Sequence, residues 1–386
     1  MRDKIQKRVF LDYASITPVD SRVEEEMKKV QKEFWANSSS LHTEGEKAKN
    51  VLEDARVKIA RFLHCRASEI FFTSGGTEAL NLAILGIVRS VSDVTPHVIV
   101  SSIEHPAVLE PIKYLLKNKK IEVSFITPNE KGIINPESIK KELKENTVLV
   151  IVQHANNEIG TIQPIQKISR IIKEYRKNKS YPYFLVDACQ SILYENVSLE
   201  RLGADILILD GIKMYGPRGM GILAVKHGTK ISPIIFGGGQ ESGLRPGTEN
   251  VVGVAGLAKA LEIAVEKREN ESKRLTILRD HAVNKILKEI SNSSLNGGLE
   301  NRLPNNINVC FPKQDSEFLV IKLDTLGFAV SAASACHSLS LENGSYVIEA
   351  VSGKKCANSS LRITLGRDTK KSDLDKLIEA LKKIIK

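Results

Sequence analysis

The sequence has no run of 18 apolar residues, and only 5% of its residues are aromatic. Without such a run no membrane-spanning helix is expected. The amino terminus lacks an apolar core followed by a small-residue cleavage site, so no signal peptide is expected. There are five cysteines, an odd number, and no two form a CxxC pair. These features together predict a cytoplasmic protein with free thiols.

The 386 residues carry a net charge of +10, from 56 basic and 46 acidic side chains. An excess of positive charge of this size is one feature of proteins that bind nucleic acid. The lysines, however, are mixed with glutamate in segments such as "SIKKELKEN" and "EKRENESKR", as on solvated helix faces. We therefore predict no nucleic-acid partner, and the Lys, Glu and Ile usage indicates a heat-adapted source.

Short β-like runs alternate with amphipathic segments along most of the chain. The expected strands are "EIFFTS", "HVIVSS", "EVSFIT", "TVLVIVQ", "YFLVDA" and "ADILILD". This alternation predicts an α/β domain with a mostly parallel, buried sheet. A helical pattern follows from about Val252 to Ser291, and its charged middle suggests a bend. After it come two more separated strands, "NINVCF" and "SLRITLG", and a closing helix. We predict a large domain at 16–262 and a smaller one from 1–15 and 263–386.

Ligands of parallel α/β sheets bind at the carboxyl ends of the strands, and several polar residues are expected there. Gly75, Gly76 and Thr77 follow the first of these strands and open a helix, either as a phosphate cup or as a plain turn. His105 precedes another helix, where a capping role competes with a catalytic one. Each signal is weak by itself.

The segment "HANNEIG" places four polar side chains after another predicted strand. They are His154, Asn156, Asn157 and Glu158. A simple turn does not need so many hydrogen-bonding groups, so a site is favoured here.

Asp187 ends one predicted strand, and Lys213 follows the next one. A buried carboxylate is costly unless it meets a cation or several donors, although helix capping is an alternative. Pyridoxal 5'-phosphate needs a lysine for its covalent attachment and an acid for its ring nitrogen. With Gly76 and Thr77 as a phosphate cup, this order of residues predicts a pyridoxal phosphate site.

Three later residues also have two interpretations. Thr248 belongs to the glycine-rich loop "FGGGQESGLRPGTEN", which either reaches a ligand or another subunit or is a flexible surface loop. Cys336 lies among small residues in "SAASACHSLSLENGS", as an exposed thiol or a small buried side chain. Arg362 in "SSLRITLGR" either binds a substrate carboxylate or is a surface charge on an edge strand.

Taken together, the chain resembles the cysteine desulfurases of the NifS/IscS group, which have the aspartate-aminotransferase-like fold of pyridoxal phosphate enzymes. The resemblance runs from "LDYASITPVD" through "FFTSGGTEALNLAI", "HANNEIGTIQPI", "VDACQS" and "KMYGPRGMG" to "SLRITLGR". It implies a seven-stranded, mostly parallel sheet in the large domain and a smaller α+β domain at the carboxyl end that carries a cysteine loop.

The resemblance also implies roles for individual residues. In the cofactor site, Lys213 would bind the cofactor covalently, and His105 would stack on its ring and assist proton transfer. Asp187 and Gln190 would contact the ring, and Asn157 would contact both cofactor and substrate. The phosphate would be bound by Gly76 and Thr77, and by Thr248 from the other subunit of a homodimer.

At the substrate, Arg362 and Asn37 would bind the carboxylate and Cys336 would accept sulfur. The implied reaction converts L-cysteine to L-alanine, with a persulfide on Cys336. The implied sulfur acceptor is an iron–sulfur scaffold protein or a tRNA-thiolation enzyme.

The chain departs from the family pattern beside the lysine. Asp210 stands where the family usually has Ser or Thr, and Ile212 where it has His. A carboxylate about 4 Å from a phosphate charge costs about 4 kcal/mol at an effective dielectric constant near 20, and losing a charged hydrogen bond costs roughly 1.5–3 kcal/mol more. Smaller departures are Ser38 in place of Pro and Pro246 in place of Ser.

These departures keep two alternatives open beside a cysteine desulfurase. One is a selenocysteine lyase, or another pyridoxal phosphate lyase or aminotransferase of the same fold. The other is a scaffold or sulfur-relay protein that binds the cofactor poorly, which rests on Asp210 and Ile212 alone.

Overall fold

The protein is described by a computed structural model that covers residues 8–92, 94–177, 179–332 and 344–385. Within these residues the α-helices are α1 Ser21–Glu33, α2 Thr43–Phe62, α3 Gly76–Arg89, α4 Pro106–Lys117, α5 Pro136–Glu142, α6 Ile165–Arg176, α7 Leu199–Leu202, α8 Val251–Glu289, α9 Ser316–Thr325, α10 Tyr346–Ser352, α11 Lys354–Ala357 and α12 Lys371–Ile384.

The strands of the described residues form three sheets. They are β1 Val9–Phe10, β2 Ile70–Thr73, β3 His97–Ser101, β4 Glu122–Ile126, β5 Thr147–Ile151, β6 Tyr183–Asp187, β7 Ile206–Asp210, β8 Gly221–Val225, β9 Ser294–Leu295, β10 Asn306–Cys310, β11 Phe328–Ala329 and β12 Ser360–Thr364. The large sheet has seven strands in the order β2-β8-β7-β6-β5-β3-β4, a second sheet has the order β12-β10-β9, and β1 pairs with β11.

The seven-stranded sheet confirms the predicted α/β fold. The pairing is parallel between β4 and β3, β3 and β5, β5 and β6, and β6 and β7. Strand β8 is antiparallel to both of its neighbours, β7 and β2. Every residue of β3, β5 and β6 is buried, as expected for β-branched and other apolar runs covered by helices on both faces. The carboxyl ends of β2, β3, β5, β6 and β7 therefore share one edge of the sheet.

Helix α8 is continuous over 39 residues, so the bend suggested by its charged middle does not break it. The proposed domain boundary at residue 262 falls inside this helix and stays a prediction. None of the described helices combines the length and apolar character that a membrane span requires.

The prediction of free thiols is wrong for two of the cysteines. Cys310 at the end of β10 and Cys356 in α11 form a disulfide, with their Cα atoms 5.3 Å apart. Both residues lie in an apolar cluster with Ile103, Ile159 and Val347. The cysteines are 46 positions apart, so counting CxxC pairs could not reveal the bond. Intracellular disulfides are usual in hyperthermophiles but rare in other cytoplasmic proteins.

We expect reduction of this disulfide to lower the free energy of unfolding by about 4 kcal/mol, the value for a closed loop of this length. Denaturant unfolding of the wild-type protein with and without a reducing agent measures the difference. Cys356→Ser protein is the matched control, because reductant should leave its unfolding midpoint unchanged. Equal midpoints for oxidised and reduced wild-type protein would contradict the expectation.

Candidate functional site

A solvent-open cavity with a volume of about 110 Å³ lies at the carboxyl edge of the seven-stranded sheet. It brings together most of the predicted site residues, which are far apart in the sequence. The described residues that line it include Gly76, Thr77, His105, Asn157, Asp187, Gln190, Asp210, Lys213 and Arg362.

Lys213 lies directly after β7, in the short 3-10 turn Gly211–Lys213. Its Nζ donates hydrogen bonds to the carbonyl oxygens of Ala14 and Ser15, at 2.8 and 2.6 Å. Burial lowers the pKa of this lysine below its usual range, while the nearby Asp210 opposes that shift. A partly buried lysine whose neutral form is more accessible is suited to covalent attachment of a carbonyl compound and to proton removal.

Asp187 is the last residue of β6 and is buried. Its Oδ1 accepts a hydrogen bond from the backbone N–H of Cys189 at 3.0 Å, as in a helix cap, and the residue also lines the cavity. Gln190, in the same segment, donates from Nε2 to the carbonyl oxygen of Ala14 at 2.9 Å. Asp187 and Gln190 therefore both line the cavity together with Lys213, and Gln190 shares the Ala14 carbonyl oxygen with the lysine.

His105 combines both of the roles weighed for it. It is the N-cap of α4, with Nδ1 accepting from the Ala107 N–H at 3.1 Å, and it also lines the cavity. An imidazole held by its own helix start has a fixed ring plane, which suits stacking on a planar cofactor.

The segment "HANNEIG" divides its polar groups between structure and site. His154 Nδ1 pairs with Ser191 Oγ at 2.9 Å, Asn156 Oδ1 accepts from the N–H groups of Glu158 and Ile159, and Glu158 accepts from Ser345 Oγ. Among these four side chains, only that of Asn157 lines the cavity. Its buried Oδ1 has no hydrogen-bond partner among the residues that the structure describes, so it can accept from a ligand.

The helix start at Gly76 forms one end of the cavity. Helix α3 begins at Gly76 rather than at Thr77, and Gly75 at its N-cap has no side chain to cap it. A Cβ on Gly76 would lie 3.2 Å from both Cys189 Sγ and Asp210 Oδ2, so glycine is needed for close approach. The Gly76 N–H donates to Asp210 Oδ2 at 2.8 Å.

Arg362 is not a surface charge on an edge strand. It is only 2% exposed, and its guanidinium donates to Asp12 Oδ1, Ser15 Oγ and the Asn157 carbonyl oxygen at 2.8–3.1 Å. Within the described part of the chain its buried Nε has no hydrogen-bond partner. A buried guanidinium with an unused donor at a cavity wall can bind a carboxylate.

Asn37 and Thr248 do not line this cavity among the described residues, and both are exposed. They lie near each other, because Ser38 Oγ donates to Glu249 Oε2 at 2.9 Å. Their predicted contacts stay predictions. Arg245 of the same loop pairs with Glu78 of α3 at 2.7 Å. Cys336, the predicted sulfur acceptor, lies outside the described residues.

Sequence reasoning missed several residues around the cavity. The "LDYAS" segment supplies Ala14 and Ser15, whose carbonyl oxygens hold Lys213. Gln153 also lines the cavity, and its N–H donates to Glu104 Oε1 at 2.8 Å. Burial raises the pKa of Glu104 to about 8. Only the position of Gln153 at a predicted strand end could have indicated it.

The cavity fits pyridoxal phosphate at its ring end. It is lined by Lys213 for covalent attachment, Asp187 for the ring nitrogen and His105 for stacking. Two buried atoms that have no partner in the described ranges, Asn157 Oδ1 and Arg362 Nε, offer polar contacts to a bound molecule. At the phosphate end, a helix start with exposed amides is suited to an anion, but the Asp210 carboxylate already occupies one of those amides.

Comparison with known proteins gives a consistent result. Residues 9–377 match the Aminotransferase class-V family. A cysteine desulfurase IscS of Dictyoglomus turgidum is 43% identical over 99% of this chain and 95% of its own length. A cysteine desulfurase IscS 1 of Archaeoglobus fulgidus is 43% identical over 97% of this chain and 96% of its own.

Solved structures show the same likeness. A NifS-like protein superposes with a TM-score of 0.90, at 35% identity over 98% of this chain and 99% of its own. A structure described as SspA in complex with cysteine has a TM-score of 0.80, at 34% identity over 92% of this chain and 98% of the other.

Proposed function

This chain belongs to the cysteine desulfurases of the class-V aminotransferase family, and from that premise we propose that it takes sulfur from L-cysteine, releases L-alanine and carries the sulfur on Cys336. The observation that carries the proposal is one cavity in which Lys213, Asp187 and Arg362 meet. These three groups are the ones needed to bind the cofactor at two points and the substrate at its carboxylate.

The bound cofactor supplies an electron-withdrawing ring that stabilises negative charge at the substrate Cα. Asp187 would pair with the ring nitrogen and favour its protonated form. Lys213 would provide the amine for covalent attachment, and its neutral Nζ would remove the substrate Cα proton, which the lowered pKa of this lysine favours. Arg362 holds the substrate carboxylate and so fixes which bond at Cα faces the lysine.

Cys336 is proposed as sulfur acceptor because the four described cysteines are poor nucleophiles. Burial raises the pKa of Cys65 to about 12 and that of Cys189 well above its usual range. Cys310 and Cys356 are bound to each other. Since only the thiolate attacks sulfur, none of these four is suited to the task near neutral pH.

A homodimer is supported by the exposed surface around Asn37 and Thr248. Trp35 and Leu41 flank Asn37 and are 74% and 95% exposed, and Phe236 at the start of the Thr248 loop is 69% exposed. Large exposed apolar side chains are typical of surfaces that another subunit covers. The proposed sulfur acceptors are an iron–sulfur scaffold protein or a tRNA-thiolation enzyme, and the proposed location is the cytoplasm.

The test is to supply pyridoxal phosphate and L-cysteine to the purified protein and to measure alanine and sulfide in the presence of a thiol reductant. We expect equal amounts of both products. A parallel reaction contains L-selenocysteine in place of L-cysteine. Alanine from L-selenocysteine alone would identify a selenocysteine lyase. A bound cofactor with pyruvate or another keto acid as product would overturn the proposal in favour of a different lyase or an aminotransferase.

We predict that Arg362→Lys raises the KM for L-cysteine roughly ten- to hundredfold. The substitution removes one charge-assisted hydrogen bond to the substrate carboxylate, which is worth about 1.5–3 kcal/mol. Steady-state kinetics with L-cysteine and with cysteamine, which lacks the carboxylate, separate this effect from a general loss of folding. Arg61→Lys, at an exposed position of α2, is the matched control. An unchanged KM in Arg362→Lys would remove the arginine from substrate binding.

A further inference from the structure

The Asp210 carboxylate lies at the helix start where the cofactor phosphate is expected to bind. Its Oδ2 accepts the N–H of Gly76, the first residue of α3, at 2.8 Å, and its Oδ1 accepts the N–H of Ile212 at 3.1 Å. One carboxylate therefore caps a 14-residue helix and the turn that carries Lys213. The Gly76 N–H that it engages is one that a phosphate oxygen would otherwise accept.

From this geometry we infer that Asp210 acts as a proton-dependent gate on the phosphate site: binding of the phosphate requires the Asp210 carboxyl to take up one proton. The inference rests on the proposed function, since it concerns the phosphate of the same cofactor. It goes beyond that function by assigning a pH dependence to cofactor affinity that a Ser or Thr at this position would not produce.

The physical reason is that an ionised carboxylate only accepts hydrogen bonds, as a phosphate dianion does. Two such groups at one helix start compete for the same donors and repel each other. A protonated carboxyl instead has one O–H to donate to a phosphate oxygen. Proton uptake therefore turns Asp210 from a competitor into a donor, which is the role that a hydroxyl would have at this position.

The surroundings of Asp210 favour the protonated form of its carboxyl group. Burial raises its pKa above its usual range, and Asp187 at the end of β6 adds to that shift, whereas the Gly76 and Ile212 amides and Lys213 oppose it. Cys189 also faces it, but as a thiol whose own pKa is raised. On β8 the residue paired with Asp210 is Gly221, which does not titrate.

The sign follows from linkage. If binding takes up one proton, the affinity is greatest where Asp210 is already protonated and falls by about tenfold per pH unit above its pKa in the cofactor-free protein. The dependence ends where Asp210 loses its proton even with phosphate bound. Alkaline pH should therefore release the cofactor, and acidification should favour its retention.

The test compares pyridoxal phosphate with pyridoxal, which has the same aldehyde and ring but no phosphate. The ratio of their dissociation constants is measured from the absorption of the lysine-bound form at about pH 7 to 9, where a phosphate monoester is a dianion. Titration of Lys213 and of the ring affects both ligands and cancels. In the wild-type protein we expect the ratio of the dissociation constant of pyridoxal phosphate to that of pyridoxal to rise with pH, by up to about tenfold per pH unit.

Asp210→Asn should abolish this slope, because the amide donates to the phosphate without taking up a proton. Asp54→Asn, at an exposed position of α2, should keep the wild-type slope. Calorimetry of the wild-type protein with each ligand, in two buffers of different ionisation enthalpy, counts the protons and needs no substitution. We expect pyridoxal phosphate to take up about one proton more than pyridoxal does.

Equal slopes in the wild-type and Asp210→Asn proteins, or equal proton uptake for pyridoxal phosphate and pyridoxal by calorimetry, would overturn the inference while leaving the proposed function intact. Absence of the lysine-bound form with both ligands at every pH would overturn the proposed function together with the inference.

Discussion

Replacing Lys213 by alanine is expected to abolish covalent cofactor binding and to lower alanine formation by roughly 10³-fold or more, within the range found for loss of a positioned acid or base. Lys213 is the one lysine among the described residues that line the cavity. Its Nζ is held at the carboxyl edge of the sheet by the carbonyl oxygens of Ala14 and Ser15. Alanine supplies neither the amine for attachment nor the base for Cα.

Absorption spectroscopy with added pyridoxal phosphate and an alanine assay measure the two losses separately. Lys226→Ala, at an exposed position just after β8, is the matched control and should behave as wild type. If the Lys213→Ala protein keeps both the spectrum of the bound form and wild-type turnover, another lysine holds the cofactor and the assignment of the site is wrong.

Replacing Cys336 by serine is expected to stop sulfur transfer, with alanine formation falling by more than about 10³-fold, while cofactor binding is unchanged. A serine hydroxyl does not ionise in this pH range and cannot attack the substrate sulfur. None of the four described cysteines replaces it, because two have raised pKa values and two are joined in a disulfide.

Cys65→Ser is the control for general effects of removing a thiol, and it should keep full activity. The contrast between normal cofactor absorption and lost turnover in Cys336→Ser distinguishes a missing acceptor from a damaged fold. Full alanine formation by Cys336→Ser in the presence of L-cysteine would assign the sulfur to another acceptor.

The fold was largely predictable because its strands are short apolar runs that end at polar residues. All six of the strand segments named from the sequence form strands of the large sheet. β8, Gly221–Val225, was not among them, since "GILAV" directly follows the Gly/Pro-rich turn after Lys213 and is continuous with that segment. The disulfide could not be predicted, because its two cysteines are brought together only by the packing of β10 against α11.

At the site, residues on strand ends were easier to predict than the contacts that hold them. Lys213 and Asp187 could be chosen from spacing alone, and the structure places both in one cavity. The surplus polar groups of "HANNEIG" were overinterpreted, because three of them satisfy neighbouring side-chain and backbone groups. The bond from Asp210 to Gly76 joins residues 134 positions apart and has no local signal.

The most direct test of the account is mass spectrometry of the full chain after reaction with one equivalent of L-cysteine, with pyridoxal phosphate bound and no reductant present. The account predicts one alanine released per chain and the added mass of one sulfur atom on the peptide that contains Cys336. Alanine release with the sulfur on any other cysteine, or no alanine and no added mass, would contradict it.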